Sequence, residues 1–323
     1  MKFRTEITAE PLRTPIGYGD RLLLLGSCFA AEMARRLSAA KFRTACNPTG
    51  TLFNPASIAA LVRRAASGTP PRADELHRSA DGCRFHYGTG TLFDSPDPEA
   101  ALNGIRDALA LCGRELARCD RLVVTFGTAW VYVLRTTGEI VANCHRQPQS
   151  EFVRRRLTVQ EIVDEWSELL ETTLRDKRII LTVSPIRHLA DGLPGNAASK
   201  AVLRLAAEEL AERFDRAEYF PAFELLTDDL RDYRFYAEDL VHPSAQAVEY
   251  VWEKFAATAF TAQTRERLAA VEEIVRTARH VPRRPDSDAY RALCRRTLER
   301  IAALEREAGI DFSEETARLS AHL

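Results

Sequence analysis

No two cysteines of this 323-residue chain stand at C-x-x-C spacing, and their number, seven, is odd. A disulfide framework and a zinc cluster of paired thiolates are both disfavoured, and the reducing cytoplasm is the expected compartment. Long apolar runs are scarce. The longest unbroken stretch of Leu, Ile or Val is Leu22–Leu25, far short of the roughly 20 residues that span a bilayer. The opening segment MKFRTEITAEPL lacks the apolar stretch of an export signal. An excess of one charge is missing too. The net charge is −1 with 28 % charged residues, so neither a nucleic acid nor a membrane surface is an expected partner. Lysine is rare, confined to Lys2, Lys41, Lys177, Lys200 and Lys254, and arginine carries the other basic positions in every segment. Gly17-Tyr18-Gly19 precedes the first strand rather than following it, so it is no dinucleotide fingerprint and no cofactor is indicated.

What is present is alternation. Short apolar runs at 21–25, 42–46, 122–126, 178–183 and 219–225 read as strands. Between them lie helical patterns after Ser27, from Pro55, over 99–118, 159–174 and 198–214, and a last one capped by Ser244. Residues 67–97 are rich in Gly and Pro and read as irregular surface chain. Thr137-Gly138 lies between two short strand-like runs and predicts an inserted hairpin. Strands alternating with helices imply a three-layer α/β/α sandwich around a mainly parallel, five-stranded sheet. From Gln263 the pattern changes to two Arg/Glu-rich helical stretches, 264–279 and 288–307, joined by Val281-Pro282-Arg283-Arg284-Pro285. The chain therefore divides into a 1–262 domain and a 263–323 helical appendage. The appendage is expected either to lie solvated against the domain or to serve as a packing arm or a homodimer contact.

Two segments carry chemistry. In Leu22-Leu23-Leu24-Leu25-Gly26-Ser27 a strand ends in Gly and a hydroxyl opens a helix, which lifts Ser27 to the mouth of the sheet. Ser at that place is also an ordinary N-cap, and Cys28 beside it is a rival nucleophile. Asp239-Leu240-Val241-His242-Pro243-Ser244 puts a carboxylate three residues before an imidazole at a helix start. A serine hydroxyl needs such a base, and the base needs a partner to fix its tautomer.

The string Gly26-Ser27-Cys28-Phe29-Ala30 resembles the signature of the GSCFA family, itself similar to the SGNH/GDSL hydrolases. Further matching stretches are Asn47–Pro55, Thr125–Ala129, Val141–His145, Ser184-Pro185-Ile186-Arg187-His188 and Asp232–Tyr236 leading to Asp239 and His242. The resemblance spans about residues 1–260. It implies Ser27 as nucleophile, His242 as general base and Asp239 as its orienter. It implies an oxyanion hole from the Ser27 N–H, Gly50 and an Asn after the third strand. That Asn is replaced here: the corresponding stretch is Gly127-Thr128-Ala129-Trp130, and Thr128, Asn54 or Asn143 are the candidate substitutes. His145 and His188 each follow a strand-like run and are candidates for polar substrate contact at the same rim. With His242 they are also the histidines that a metal site would use, although no H-x-H or H-E-x-x-H spacing supports one. The implied function is a serine-dependent esterase or O-acyltransferase acting on an O-acyl ester, an acetyl group on a carbohydrate or other small polar molecule. The alternative is a ligand-binding or scaffold protein that keeps the fold without catalysis.

Overall fold

The four leucines Leu22–Leu25 are buried on both faces of β1 (Arg21–Gly26), as a central strand of a parallel sheet requires. The computed structural model describes residues 4–323. β1 leads into α1 (Cys28–Ala39), and β2 (Arg43–Cys46) returns beside it. α2 (Pro55–Ser67) starts on the Asn54 cap with Pro in its first turn. A short hairpin, β3 (His77–Arg78) and β4 (Arg84–Phe85), precedes α3 (Pro98–Arg118) and β5 (Arg121–Phe126). A separate antiparallel sheet then inserts β6 (Trp130–Leu134), β7 (Ile140–Val141) and β8 (Phe152–Arg156). The α/β pattern resumes with α4 (Val159–Glu171), β9 (Arg178–Val183), α5 (Gly192–Arg213) and β10 (Ala217–Tyr219). After α6 (Ala222–Glu224) come α7 (Ala245–Ala259), α8 (Ala262–Arg279), α9 (Asp288–Ala308) and α10 (Ser313–Ser320). No helix among the described residues is long and apolar enough to cross a membrane.

The main sheet runs β10-β9-β5-β1-β2 with every pair parallel. Along the chain this is the order 2-1-3-4-5, with its reversal between β1 and β5, and ligands of such sheets bind outside the carboxyl ends at that reversal. Alternate side chains split the interior in two. Leu23, Leu25, Val124 and Leu181 pack under α2, α3, α4 and α5. Leu22, Leu24, Val123 and Ile180 face α1 and α7.

Residues 263–323 are not solvated helices lying loosely alongside. Val271, Ile274, Cys294, Ile301 and Phe312 belong to the same buried cluster as Leu22, Phe29 and Trp252. Most of their charges lie on the outer faces, but Glu315 is buried and paired with Lys41 of the main domain at 2.6 Å. Three other expectations shift. The fifth strand stops at Tyr219, because Pro221 has no N–H for a ladder, and Leu225, Leu226 and Leu230 bury themselves from helical turns instead. α5 starts at Gly192, six residues before its regular apolar pattern, with Pro194 tolerated in its first turn. The inserted hairpin gains a third strand: β8, which carries Arg154, Arg155 and Arg156, pairs with β6 over its whole length.

The close contact is at the end of β1. Gly26 lies opposite Thr125 of β5 with φ +132°, and a Cβ there would run into the Thr125 carbonyl oxygen. Gly26→Ala combines backbone strain with a backbone clash, each worth about 1–3 kcal/mol. Urea unfolding of that variant is expected to show a loss of roughly 3 kcal/mol or more; a loss under about 1 kcal/mol would mean that the two strands part without cost.

Candidate active site

Ser27 follows directly on the strained Gly26 and caps α1, its Oγ accepting from the Phe29 N–H at 3.3 Å. The side chain is buried. Asn47 clamps the preceding residue from both sides, its Oδ1 accepting from the Gly26 N–H at 2.9 Å and its Nδ2 donating to the Gly26 carbonyl at 3.1 Å. Gly127, just past β5, is the neighbour on the other flank. A Cβ there would come within 3.3 Å of the Ser27 Cβ and 2.9 Å of the Phe53 carbonyl oxygen. The serine is thus wedged between the carboxyl ends of the two strands at the reversal of sheet order.

Asp239 and His242 form a tight pair, with Oδ2 and Nδ1 2.6 Å apart. The other carboxylate oxygen accepts from the Val241 and His242 backbone N–H groups, both at 2.9 Å. Those bonds hold the Asp239 carboxyl down at about 2, the His242 N–H and ring contributing first and the Val241 N–H after them. Leu240 takes φ +56° to make the turn. With Nδ1 on the carboxylate, Nε2 is the nitrogen left for a reacting partner. His242 lines a cavity of about 390 Å³ with Cys28, Phe29 and Ile186, so the base opens onto the same hollow as the residues that follow Ser27. Ser27 Oγ and the His242 ring make no hydrogen bond with each other here; the hydroxyl is inward on its cap and the imidazole is half exposed. Arg187 braces the His242 loop. Its N–H donates to Val241 O at 3.2 Å, and its guanidinium lies 3.9 Å over the Tyr236 ring.

The expected oxyanion donors are differently employed. The Ser27 N–H donates to Thr125 O at 3.2 Å and the Gly50 N–H to Asn47 O at 2.9 Å. The Gly127 and Thr128 N–H groups both go to Phe53 O, at 2.8 and 2.9 Å. Of the three substitutes for the missing Asn, Asn143 is spent on its own turn, accepting from the His145 N–H at 2.7 Å. Thr128 Oγ1 sits 3.1 Å from Ser199 Oγ and accepts from the Trp130 N–H. Asn54 uses Oδ1 to cap α2, at 2.8 Å from the Ser57 N–H, and no internal hydrogen bond among the described residues uses its Nδ2. Asn54 and Thr128 both line a second cavity, about 350 Å³, walled also by Phe53, Trp130, Arg154 and His188.

His188 is at this rim and His145 is not. Burial first, then the positive charges of Lys200, Arg154 and His242, push the His188 imidazole down to about 4, so it is neutral at ordinary pH. His145 is buried in the insertion, 3.1 Å from both an Asp94 carboxylate oxygen and Thr89 O, and its ring stacks on Phe85. Among the described residues no three His, Cys, Asp or Glu side chains form a group able to hold a metal ion.

The sequence reading passed over Lys200. It is fully buried, and Nζ donates to Gly127 O and Ser184 O, both at 2.7 Å, tying the ends of β5 and β9 together behind the serine. No carboxylate joins it. Burial brings its pKa down to about 7. A neutral amine has two N–H groups for the two carbonyls, whereas the third N–H of the ammonium would have only the Phe223 ring, its centroid 5.9 Å away. The available signal was usage: one of five lysines in an arginine-dominated chain.

A scan of family models matches residues 21–255 to the GSCFA family and residues 271–323 to the GSCFA domain protein C-terminal domain. The chain belongs to the GSCFA family. A comparison with curated proteins found no match. The GSCFA match takes in all three members of the constellation, Ser27, Asp239 and His242.

The Lys200 burial has a signed consequence. Its folded pKa, about 7, lies below the unfolded value of 10.5. Between these pH values the unfolded chain binds a proton the folded chain does not, so stability contributed by this site rises with pH. Relative to Lys200→Met, the wild-type protein is expected to gain on the order of 2 kcal/mol in urea unfolding between pH 7 and pH 9. An identical pH slope in the two proteins would show that the lysine keeps its charge when buried.

Proposed function

We propose that this protein is a serine-dependent esterase or O-acyltransferase working through an acyl-enzyme on O-acyl esters of small polar molecules, O-acetyl groups on carbohydrates included. The observation that carries the reading is the 2.6 Å Asp239–His242 pair opening onto the hollow beside the Ser27 turn. The 2-1-3-4-5 strand order with the serine at its reversal, and the resemblance to SGNH hydrolases, support it further.

In this reading the Ser27 hydroxyl leaves its cap and attacks the ester carbonyl carbon. His242 Nε2 takes the hydroxyl proton and passes it to the leaving alcohol oxygen, while Asp239 holds the ring and offsets its positive charge. Water, or a second alcohol, then attacks the acyl-enzyme carbonyl with the same imidazole as base, releasing acid or transferred ester. The developing oxyanion needs donors where it forms. Asn54 Nδ2 is the one with no internal acceptor, and we assign it the place that Ala129 cannot fill. The Ser27 N–H joins it once its bond to Thr125 O gives way.

A second reading, a binding protein that keeps the fold without turnover, draws on the inward Ser27 Oγ and its missing bond to His242. A fluorophosphonate probe separates the two. Stoichiometric labelling at Ser27, blocked in Ser27→Ala, is expected of the esterase; well-folded protein that takes up no label is the binder. On 4-nitrophenyl acetate, Ser27→Ala should lose at least about 10³-fold in kcat. Asp239→Asn should lose roughly 10²–10⁴-fold through the wrong imidazole tautomer. Undiminished turnover in Ser27→Ala rules out the serine mechanism.

A further inference from the structure

The second cavity has one acid in its wall, Asp191, and that acid is already engaged, 2.5 Å from Arg154 Nη2. Arg154 in turn is laid across the Trp130 and Tyr132 rings, its Cζ 5.2 and 5.1 Å from their centroids. Alternation along β8 produces this placement. Arg154 lies on the strand face that carries Trp130 and Tyr132, and Arg155 lies on the opposite face, paired with Glu161. Arg187 shares the wall but has no carboxylate partner among the described residues. Its guanidinium is held flat over the Tyr236 ring, and its hydrogen bond is a long one, Nη1 to Leu240 O at 3.4 Å. His188 adds no charge, being neutral. Of the two arginines in the wall, Arg187 is therefore the one without a carboxylate partner among the described residues, its guanidinium confined by the Tyr233 and Tyr236 rings at 5.1 and 3.9 Å and bordering a smaller hollow with Asp232 as well.

We propose that Arg187 is the anchor of a subsite for a carboxylate on the substrate, so that the favoured ester is one whose alcohol part is an acid. This rests on the esterase reading for the reaction but not for the binding. A planar guanidinium with free edges matches a carboxylate in two parallel hydrogen bonds. The stack on Tyr236 limits the entropy lost on binding. The position is suitable. Ile186, the preceding residue, lines the His242 cavity, and Arg187 itself is bonded through its N–H to the residue before His242. A small acid seated on Arg187 lies beside the base that must protonate its leaving oxygen.

The probe pair is 4-acetoxybenzoate and its neutral methyl ester, which present the same acetyl group with and without the charge. The acid is expected to be preferred in kcat/KM by at least about tenfold, mostly through KM, since charge-assisted hydrogen bonds form to the carboxylate and not to its methyl ester. Arg187→Gln should bring the ratio near one, and Arg187→Lys should retain part of it. Because Arg187 also braces the His242 loop, the ratio is the readout and not the rate. Asp191→Asn, which leaves Arg187 in place and frees Arg154, should raise the ratio, and it serves if the Arg187 variants do not fold. Calorimetry with 4-hydroxybenzoate and methyl 4-hydroxybenzoate on Ser27→Ala reads binding without chemistry, and the acid should bind at least about tenfold tighter. Binding of the acid with no hydrolysis of either ester would remove the esterase reading and keep the subsite. Hydrolysis of both esters at equal efficiency, with a ratio unmoved in Arg187→Gln or Asp191→Asn, would overturn the subsite and keep the esterase. No preference in calorimetry overturns it independently.

Discussion

The approach of β1 to β5 at their carboxyl ends is the constraint from which the rim is built. Only a residue without a side chain fits at Gly26, against the Thr125 carbonyl, and only such a residue fits at Gly127, against Ser27 and Phe53. Around these two points the main-chain polar groups are largely committed. Asn47 holds Gly26, Phe53 O collects two N–H groups, and Lys200 grips Gly127 O and Ser184 O. A hydroxyl placed in such surroundings has few conformations open to it. Rigidity of this kind is what a positioned nucleophile needs, and it costs a buried amine and a strained glycine.

The site has a buried half and an exposed half. Ser27 rides on the sheet and the first turn of a buried helix. Asp239 and His242 ride on an exposed turn that the protein fastens by three devices: the carboxylate accepting two N–H groups, the Arg187 stack, and main-chain bonds from Arg187 and Ala237. Separation of the hydroxyl and the imidazole in the empty protein accords with that division. Catalytic hydrogen bonds are often long until a substrate closes them.

The sheet was legible in the sequence because a strand buried on both faces is apolar through its middle, as Leu22–Leu25 and Leu122–Val124 are. Ser27 and the Asp239–His242 pair were legible because each depends on neighbours in the chain: a cap, a turn, a spacing of three. What escaped notice depends on contacts between distant segments. Lys200 looks like one more helix residue until two strand ends supply its acceptors. Arg154 looks like part of a solvated basic run until β8 is paired with β6 and the alternation turns it over two rings. That the Ser27 and Gly50 N–H groups already have acceptors is not legible, because sequence says nothing of where an N–H is bound. For the helical part after residue 262 the charge content is visible in the sequence, but the apolar stripe facing the domain is too thin to decide between a solvated pair and a packing arm.

That stripe has a bearing on how the polypeptide matures. Half the interior, the flank holding Leu22, Leu24 and Phe29, is closed only when Val271, Ile274, Ile301 and Phe312 arrive. During synthesis the apolar side chains on that flank therefore stay partly uncovered until the last helices of this sequence have been made. A protein built this way leans on its companions in the cell, holdases that shield such a flank, more than one whose early segments close upon themselves.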